Sequence, residues 1–278
     1  SLQPNSYKVV MDEPLLVASS RQMHLDKELY VPKSCYELGG AFYNFDGYVD
    51  KRPGFFPFLL SLLHDLTGYR SGQGFVLNAL LVPALVLLTA TLCGRLWPDC
   101  GKWIGPLLLV TVPLVSLVAN SSGYDFLNVV LLLSLLLLAL QFYEYPGTWT
   151  LSALLWASVL LAHTRYESAL YLLPVLLIVA LRSFFLKRTF FHWTSCLMPF
   201  ALLPVVLLMR VIGGQEDPLQ LREGGAAAFS GGYIGVNLRS AADFFFHFNG
   251  DQPNSWLLSV LFSAAVCSGF FLLQRGLK

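Results

Sequence analysis

The chain has 278 residues, a formal net charge of +1, 55% hydrophobic and only 13% charged residues, and a mean hydropathy of +0.60. A soluble domain carries roughly 25% charged residues, so this composition excludes an ordinary soluble globule, and the near-zero net charge gives nucleic acid no electrostatic footing. The apolar segments are solid runs with no regular alternation, which excludes a β-barrel.

Residues 1–52 form the polar opening of the chain, with seven carboxylates and six Lys or Arg. They read as an external loop of mixed coil and short helix, with a surface helix from about Leu15. The stretch Gly39–Val49 mingles Phe42, Tyr43, Phe45 and Tyr48 with Asn44 and Asp46. Aromatic rings beside polar groups suit a bilayer interface, and they also suit the faces of sugars. The chain opens in loop-like sequence, and a first spanning helix is expected ahead of this numbering.

Residues 54–67 are apolar but too short to cross about 30 Å of hydrocarbon, which predicts an interfacial helix. Six spanning segments are expected between 73 and 212, at about 73–96, 103–120, 124–143, 149–163, 167–186 and 191–212. A polar loop, 213–254, separates them from a last segment at 255–273. Prolines inside these runs (Pro83, Pro113, Pro174, Pro199, Pro204) are tolerable in a membrane, where neighbouring groups satisfy the freed carbonyls. The expected fold is an all-α polytopic transmembrane bundle, a single module whose external loop bears short interfacial helices.

Short loops set the orientation. Arg95 and Lys102, then Arg182, Lys187 and Arg188, then Arg275 and Lys278 flank turns on one side, which the positive-inside rule makes cytoplasmic. Alternation then gathers 1–52, Asn120–Asp125, His163–Glu167 and 213–254 on the opposite face. Four charged patches are expected to converge there: Asp12-Glu13, Lys51-Arg52, Asp125, and Arg165 with Glu167. Charges at helix ends are the tolerable ones, since a charge at mid-bilayer costs about 2.5–3.5 kcal/mol on insertion scales. The five histidines and five cysteines show no metal-ligand spacing.

The run Lys51-Arg52-Pro53-Gly54-Phe55-Phe56-Pro57, followed by a Leu/Ala-rich helix containing Asn78, resembles the bacterial GT39-like glycosyltransferases of the GT-C membrane fold. These include protein O-mannosyltransferases and lipid A aminoarabinose transferases. Ser122-Gly123-Tyr124-Asp125 resembles their second acidic position, Leu161-Ala162-His163-Thr164-Arg165 their leucine-threonine-lysine step, and Asp12-Glu13 the acidic pair of their first external loop. Arg165 stands where lysine is common, which keeps the charge and changes the geometry.

The resemblance implies a polyprenyl-phosphate sugar donor, transfer on the outer face to a lipid, polysaccharide or protein acceptor, and inversion at the anomeric carbon. One-step inversion needs a carboxylate to take the acceptor's proton. Asp12 is the expected base, with Glu13 second. Asp125 is expected to orient the acceptor or a cation, or serves as an N-cap or first-turn carboxylate of its helix. Lys51, Arg52 and Arg165 are the expected phosphate cations. Tyr48, Glu167, Tyr233 and Arg239 are candidate substrate contacts. No cofactor is expected to be required, because lysine and arginine can neutralise a phosphate without a divalent metal. The bacterial inner membrane is the expected location, with the endoplasmic reticulum membrane as the alternative. The competing functions are a lipid or sugar transporter or flippase, and a non-catalytic subunit of a glycosylation complex. Against transport, the mid-helix positions are nearly all Leu, Val and Ala, and no internal repeat is visible.

Overall fold

The computed structural model describes residues 12–38, 41–50, 52–187, 190, 193–214, 233–245, 259–261, 263–264 and 267. The chain divides into two compact units, one of residues 1–111 with 115–215 and one of 112–114 with 216–278.

In the first unit, α1 (Asp12–Leu25) leads into an antiparallel hairpin, β1 (Val31–Leu38) and β2 (Ala41–Tyr48). The helix starts three residues earlier than expected, with both carboxylates of Asp12 and Glu13 in its first turn, where the helix dipole favours them. The hairpin corrects the all-α expectation, which gave the polar opening only coil and short helix. Aromatic residues fit a pleated ribbon, and Gly39-Gly40 stands in sequence between the paired ends Leu38 and Ala41, as a two-residue hairpin connection prefers. The pairing is irregular between Pro32 and Cys35, beside a proline that cannot donate to the ladder.

The remaining elements of this unit are α2 (Phe55–Thr67), α3 (Gln73–Leu96), α4 (Gly101–Thr111), all but the first two residues of α5 (Pro113–Ala119), α6 (Asp125–Glu144), α7 (Thr148–Thr164), a 3-10 turn (Tyr166–Tyr171), α8 (Leu172–Leu186), a second 3-10 turn (Trp193–Leu197) and α9 (Met198–Gly214). The segment expected as one span over 103–120 is two helices, because Val112 leaves the helix immediately before Pro113, where the ring of a proline disfavours helical backbone. The segment expected over 191–212 likewise opens as a 3-10 turn. In the second unit, α10 (Tyr233–Phe245) presents Ile234, Val236 and Leu238 to the surface. Most of the expected segment 255–273 lies outside the described residues.

Among the described residues three stretches are long and apolar enough to cross a membrane: Gln73–Leu96, Asp125–Glu144 and Glu167–Leu186. At about 1.5 Å per residue, twenty helical residues cover roughly 30 Å. Their interior contacts are few. Leu80, Leu87, Leu136, Leu173, Leu177 and Leu181 stand exposed, and a soluble protein seldom exposes so continuous an apolar surface. The protein is therefore largely helical, consistent with a membrane-embedded bundle.

Three clusters hold the first unit together. Leu135, Phe142, Leu154, Leu161 and Val175 join α6, α7 and α8. Leu16, Val17, Phe56, Leu60 and Leu127 join α1, α2 and α6. Leu85, Phe126 and Val130 join α3 to α6 and receive Val115 and Val118 of α5. The second cluster seats α1 against the start of α6.

Candidate functional site

The first turn of α1 separates its two carboxylates. Successive helix residues are about 100° apart, so Glu13 turns inward where Asp12 turns toward Arg52. Glu13 is 2% exposed, and its Oε2 accepts the backbone N–H of Ser122 at 2.8 Å. The loop that contains Ser122 is gripped from α3 as well. Asn78 Nδ2 donates to the carbonyls of Ser121 at 2.8 Å and Gly123 at 3.0 Å. Gly74 lies against Ser122 so closely that a Cβ there would overlap its Oγ. A loop held on both sides delivers Tyr124 and Asp125 at a fixed place at the head of α6.

Arg165 reaches the same place from α7. It leaves the helix in extended backbone, with φ −143° and ψ 135°. Its Nη1 donates to Asp125 Oδ1 at 2.7 Å, and its Nε lies 3.4 Å from Glu167 Oε2. The guanidinium also lies over the Tyr124 ring, 5.4 Å from its centroid, within range of a cation–π attraction. Ser168 Oγ donates to Asn128 Oδ1 at 2.8 Å, which fastens the turn after Arg165 to α6.

Arg52 forms the second ionic group. Its Nη1 lies 2.8 Å from both oxygens of Asp50, and its Nη2 pairs with Asp12 Oδ1. Asp50 is buried, whereas the Asp12 side chain is 36% exposed. Burial works against the charge of Arg52, but the bond to Asp50 and the nearby Asp50, Asp12 and Tyr124 outweigh it and hold the guanidinium above its ordinary value.

The two ionic groups meet electrostatically at Tyr124. Burial pushes its phenol up, Arg165 and Arg52 pull it down, and Asp125 and Asp12 push it up again. One phenol therefore senses both guanidiniums and one carboxylate partner of each, Asp12 and Asp125. It rests on the cluster of Leu16, Val17, Phe56, Leu60 and Leu127.

Of the residues expected from sequence, Asp12, Glu13, Arg52, Asp125, Arg165 and Glu167 come together here. Tyr48 is exposed at the end of β2. Burial pushes its hydroxyl up, and it senses Asp50 and Arg52. Arg239 is exposed on α10 in the other unit. Lys51 and the side chain of Tyr233 lie outside the described residues. The sequence reading missed the roles of Asp50, Tyr124, Gly74 and Ser122. Asp50, Tyr124 and Ser122 were visible only as neighbours of a named residue or as part of a short motif, and Gly74 carried no local signal. Among the described residues no three His, Cys, Asp or Glu side chains are grouped to hold a metal ion.

An apolar cavity of about 290 Å³ begins at Pro53, one residue beyond Arg52, and is lined by Gly54, Phe55, Phe58, His163 and Val205 among others. Its histidine is held by Nε2 at 2.6 Å from the Ala201 carbonyl and sits two residues before Arg165. Comparison with protein families, with curated proteins and with solved structures finds no match.

Proposed function

We propose that this chain is a membrane glycosyltransferase of the GT-C type, which moves a sugar from a polyprenyl-phosphate donor to an acceptor on the outer, periplasmic face of a bacterial inner membrane. The observation that carries the reading is the meeting of two carboxylate–guanidinium groups around Tyr124. Asp12 and Arg52 form one, Asp125 and Arg165 the other. Inverting transfer from a lipid phosphate requires this combination of a carboxylate for the incoming oxygen and cations for the departing phosphate. The apolar cavity beside Arg52 suits the first part of a lipid chain.

In this reading Asp12 takes the proton of the acceptor hydroxyl as its oxygen bonds to the anomeric carbon. The bond from that carbon to the phosphate oxygen breaks on the opposite face, and its electron pair leaves with the polyprenyl phosphate. Arg52 and Arg165 hold the phosphate, Lys51 is a third candidate cation, and Asp125 orients the acceptor. Glu13, buried and engaged with the backbone, is a brace more than a base.

The test is transfer or hydrolysis from a panel of polyprenyl-phosphate sugars by the purified full chain, with Asp12→Asn beside it. Turnover of one donor that falls at least about a hundredfold in the variant, the range of a lost general base, supports the assignment. Unchanged turnover in the variant discards Asp12 as base. No turnover of any donor by folded protein discards the activity.

A further inference from the structure

The two guanidiniums that this reading assigns to phosphate are already engaged, and by carboxylates. Four carboxylates hold the two guanidiniums among the described residues of the site, Asp50 and Asp12 on Arg52 and Asp125 and Glu167 on Arg165. A phosphate cannot simply add to such a site. It must take a nitrogen from a carboxylate that holds it. The contacts of Arg52 are unequal in a way that selects which one. Asp50 is buried and takes Nη1 with both oxygens at 2.8 Å. Asp12 is 36% exposed and is met by the other nitrogen, Nη2. Partly exposed ion pairs are weak and exchangeable, whereas breaking a buried one leaves an uncompensated charge.

Resting on the glycosyltransferase reading, we propose that Arg52 is a partner-exchange residue: Asp50 anchors it through Nη1, and the donor's phosphate displaces Asp12 from Nη2, so that Asp12 becomes available as a base only when donor is bound. In the ligand-free site Asp12 is held by Arg52 and is not free to meet an acceptor. The incoming phosphate carries the negative charge that Arg52 needs, and Asp12 loses its cation at the moment the acceptor must be deprotonated. The exchange is reversible and involves no covalent step. Arg165 can share the same anion, since it is engaged through Nη1 and Nε and no acceptor among the described residues meets its Nη2.

The exchange makes a prediction opposite in sign to the ordinary expectation for a site residue. Asp12 competes with the phosphate, so removing its charge should tighten binding while abolishing turnover. The experiment measures dissociation constants of a polyprenyl monophosphate and of the matching polyprenol for the full chain in neutral phosphatidylcholine nanodiscs. Wild type, Asp12→Asn, Asp12→Ser and Asp50→Asn are compared, each checked by thermal unfolding.

The expected result is phosphate binding about fivefold tighter in both Asp12 variants, the factor that release of a partly exposed ion pair supplies. Asp50→Asn should bind more weakly than wild type, and polyprenol binding should not change in any variant. Binding by an Asp12 variant where wild type binds too weakly to detect counts equally in favour. Wild-type binding that is unchanged or weakened in the folded Asp12 variants overturns the exchange and leaves the glycosyltransferase reading standing. Equal tightening for polyprenol also overturns it. Absence of phosphate binding in every variant overturns both.

Discussion

Helix α1 carries a polar cluster at each end, and the two are made of opposite materials. At its N-terminus Asp12 is partly exposed and paired with a guanidinium. Toward its C-terminus Ser20 meets His64, which is fully buried, through Oγ and Nε2 at 3.1 Å. His64 Nδ1 pairs with Gln73 Oε1, Gln73 Nε2 donates to the Gly68 carbonyl at 2.9 Å, and Tyr69 packs edge-on against the imidazole at 4.9 Å. Charges are kept to the rim there, where Asp65 meets His24 at 2.5 Å and Lys27 at 3.1 Å. A buried neutral network with satisfied hydrogen bonds is rigid, whereas half-exposed ion pairs trade partners at small cost. The difference teaches that one helix joins a fixed far end to a near end whose partly exposed carboxylate can change partners, and on the proposed reading the near end is where chemistry takes place.

The sharpest way to break this comparison lies within the near end itself, between adjacent carboxylates. Glu13 belongs with the fastening and Asp12 with the exchange. Glu13→Ala strips the acceptor from the buried Ser122 N–H, which costs about 1–3 kcal/mol for an unsatisfied buried donor. Thermal unfolding should show that loss, and Glu13→Gln, which keeps an amide oxygen in place, should recover most of it. Asp12→Asn should unfold close to wild type. If Asp12→Asn proves the more destabilising of the pair, the division between brace and reactive carboxylate is wrong.

The far end gives the next effect, a dependence on pH. Burial pushes the His64 imidazole down, the Gln73 bond opposes this, the charge of His24 adds to it and Asp65 opposes it. The folded state therefore takes up a proton less readily than the unfolded chain, whose histidine titrates near 6.5. Stability from this group is complete above about pH 6.5 and is lost as pH falls toward the lower folded value. Between pH 7.5 and pH 5 the Tm of wild type should decline more than that of His64→Gln. Parallel curves for the two would mean that His64 is not the group being protonated.

Much of the helical order was legible because apolar run length is a direct signal. The stretches 73–96 and 124–143 match α3 and α6 to within a residue or so. The hairpin was not, since Val31–Tyr48 lacks clean alternation and its aromatic and polar residues suit an interfacial loop equally well. The break at Pro113 was hidden by reading membrane prolines as tolerated, when the residue before one is the weak point. At the site, charge placement showed which residues would meet, because Asp12, Arg52, Asp125 and Arg165 sit at loop or helix ends. What holds them was not visible. Gly74 and Ser122 matter through a close approach between residues 48 positions apart in sequence, and no local pattern records that. Asp50 looked like one more charge in a polar run until its burial marked it as the anchor of Arg52.

The smallest effect sharpens the role of Tyr124, where mobile charge rests on the fixed core. Its ring lies under Arg165 and its phenol senses the charges of both ionic groups, so ring and hydroxyl can be separated by substitution. Tyr124→Phe keeps the ring face, and on the proposed activity the KM for donor should stay within about twofold of wild type. Tyr124→Leu removes the cation–π attraction, about 0.5–1 kcal/mol at a partly exposed site. The donor KM should then rise about two- to fivefold with kcat less affected, because Arg165 acts on the phosphate in the bound donor as well as in the transition state. A Phe variant as impaired as the Leu variant would move the role from ring to hydroxyl. A Leu variant equal to wild type would mean that Asp125 and Glu167 alone position the guanidinium.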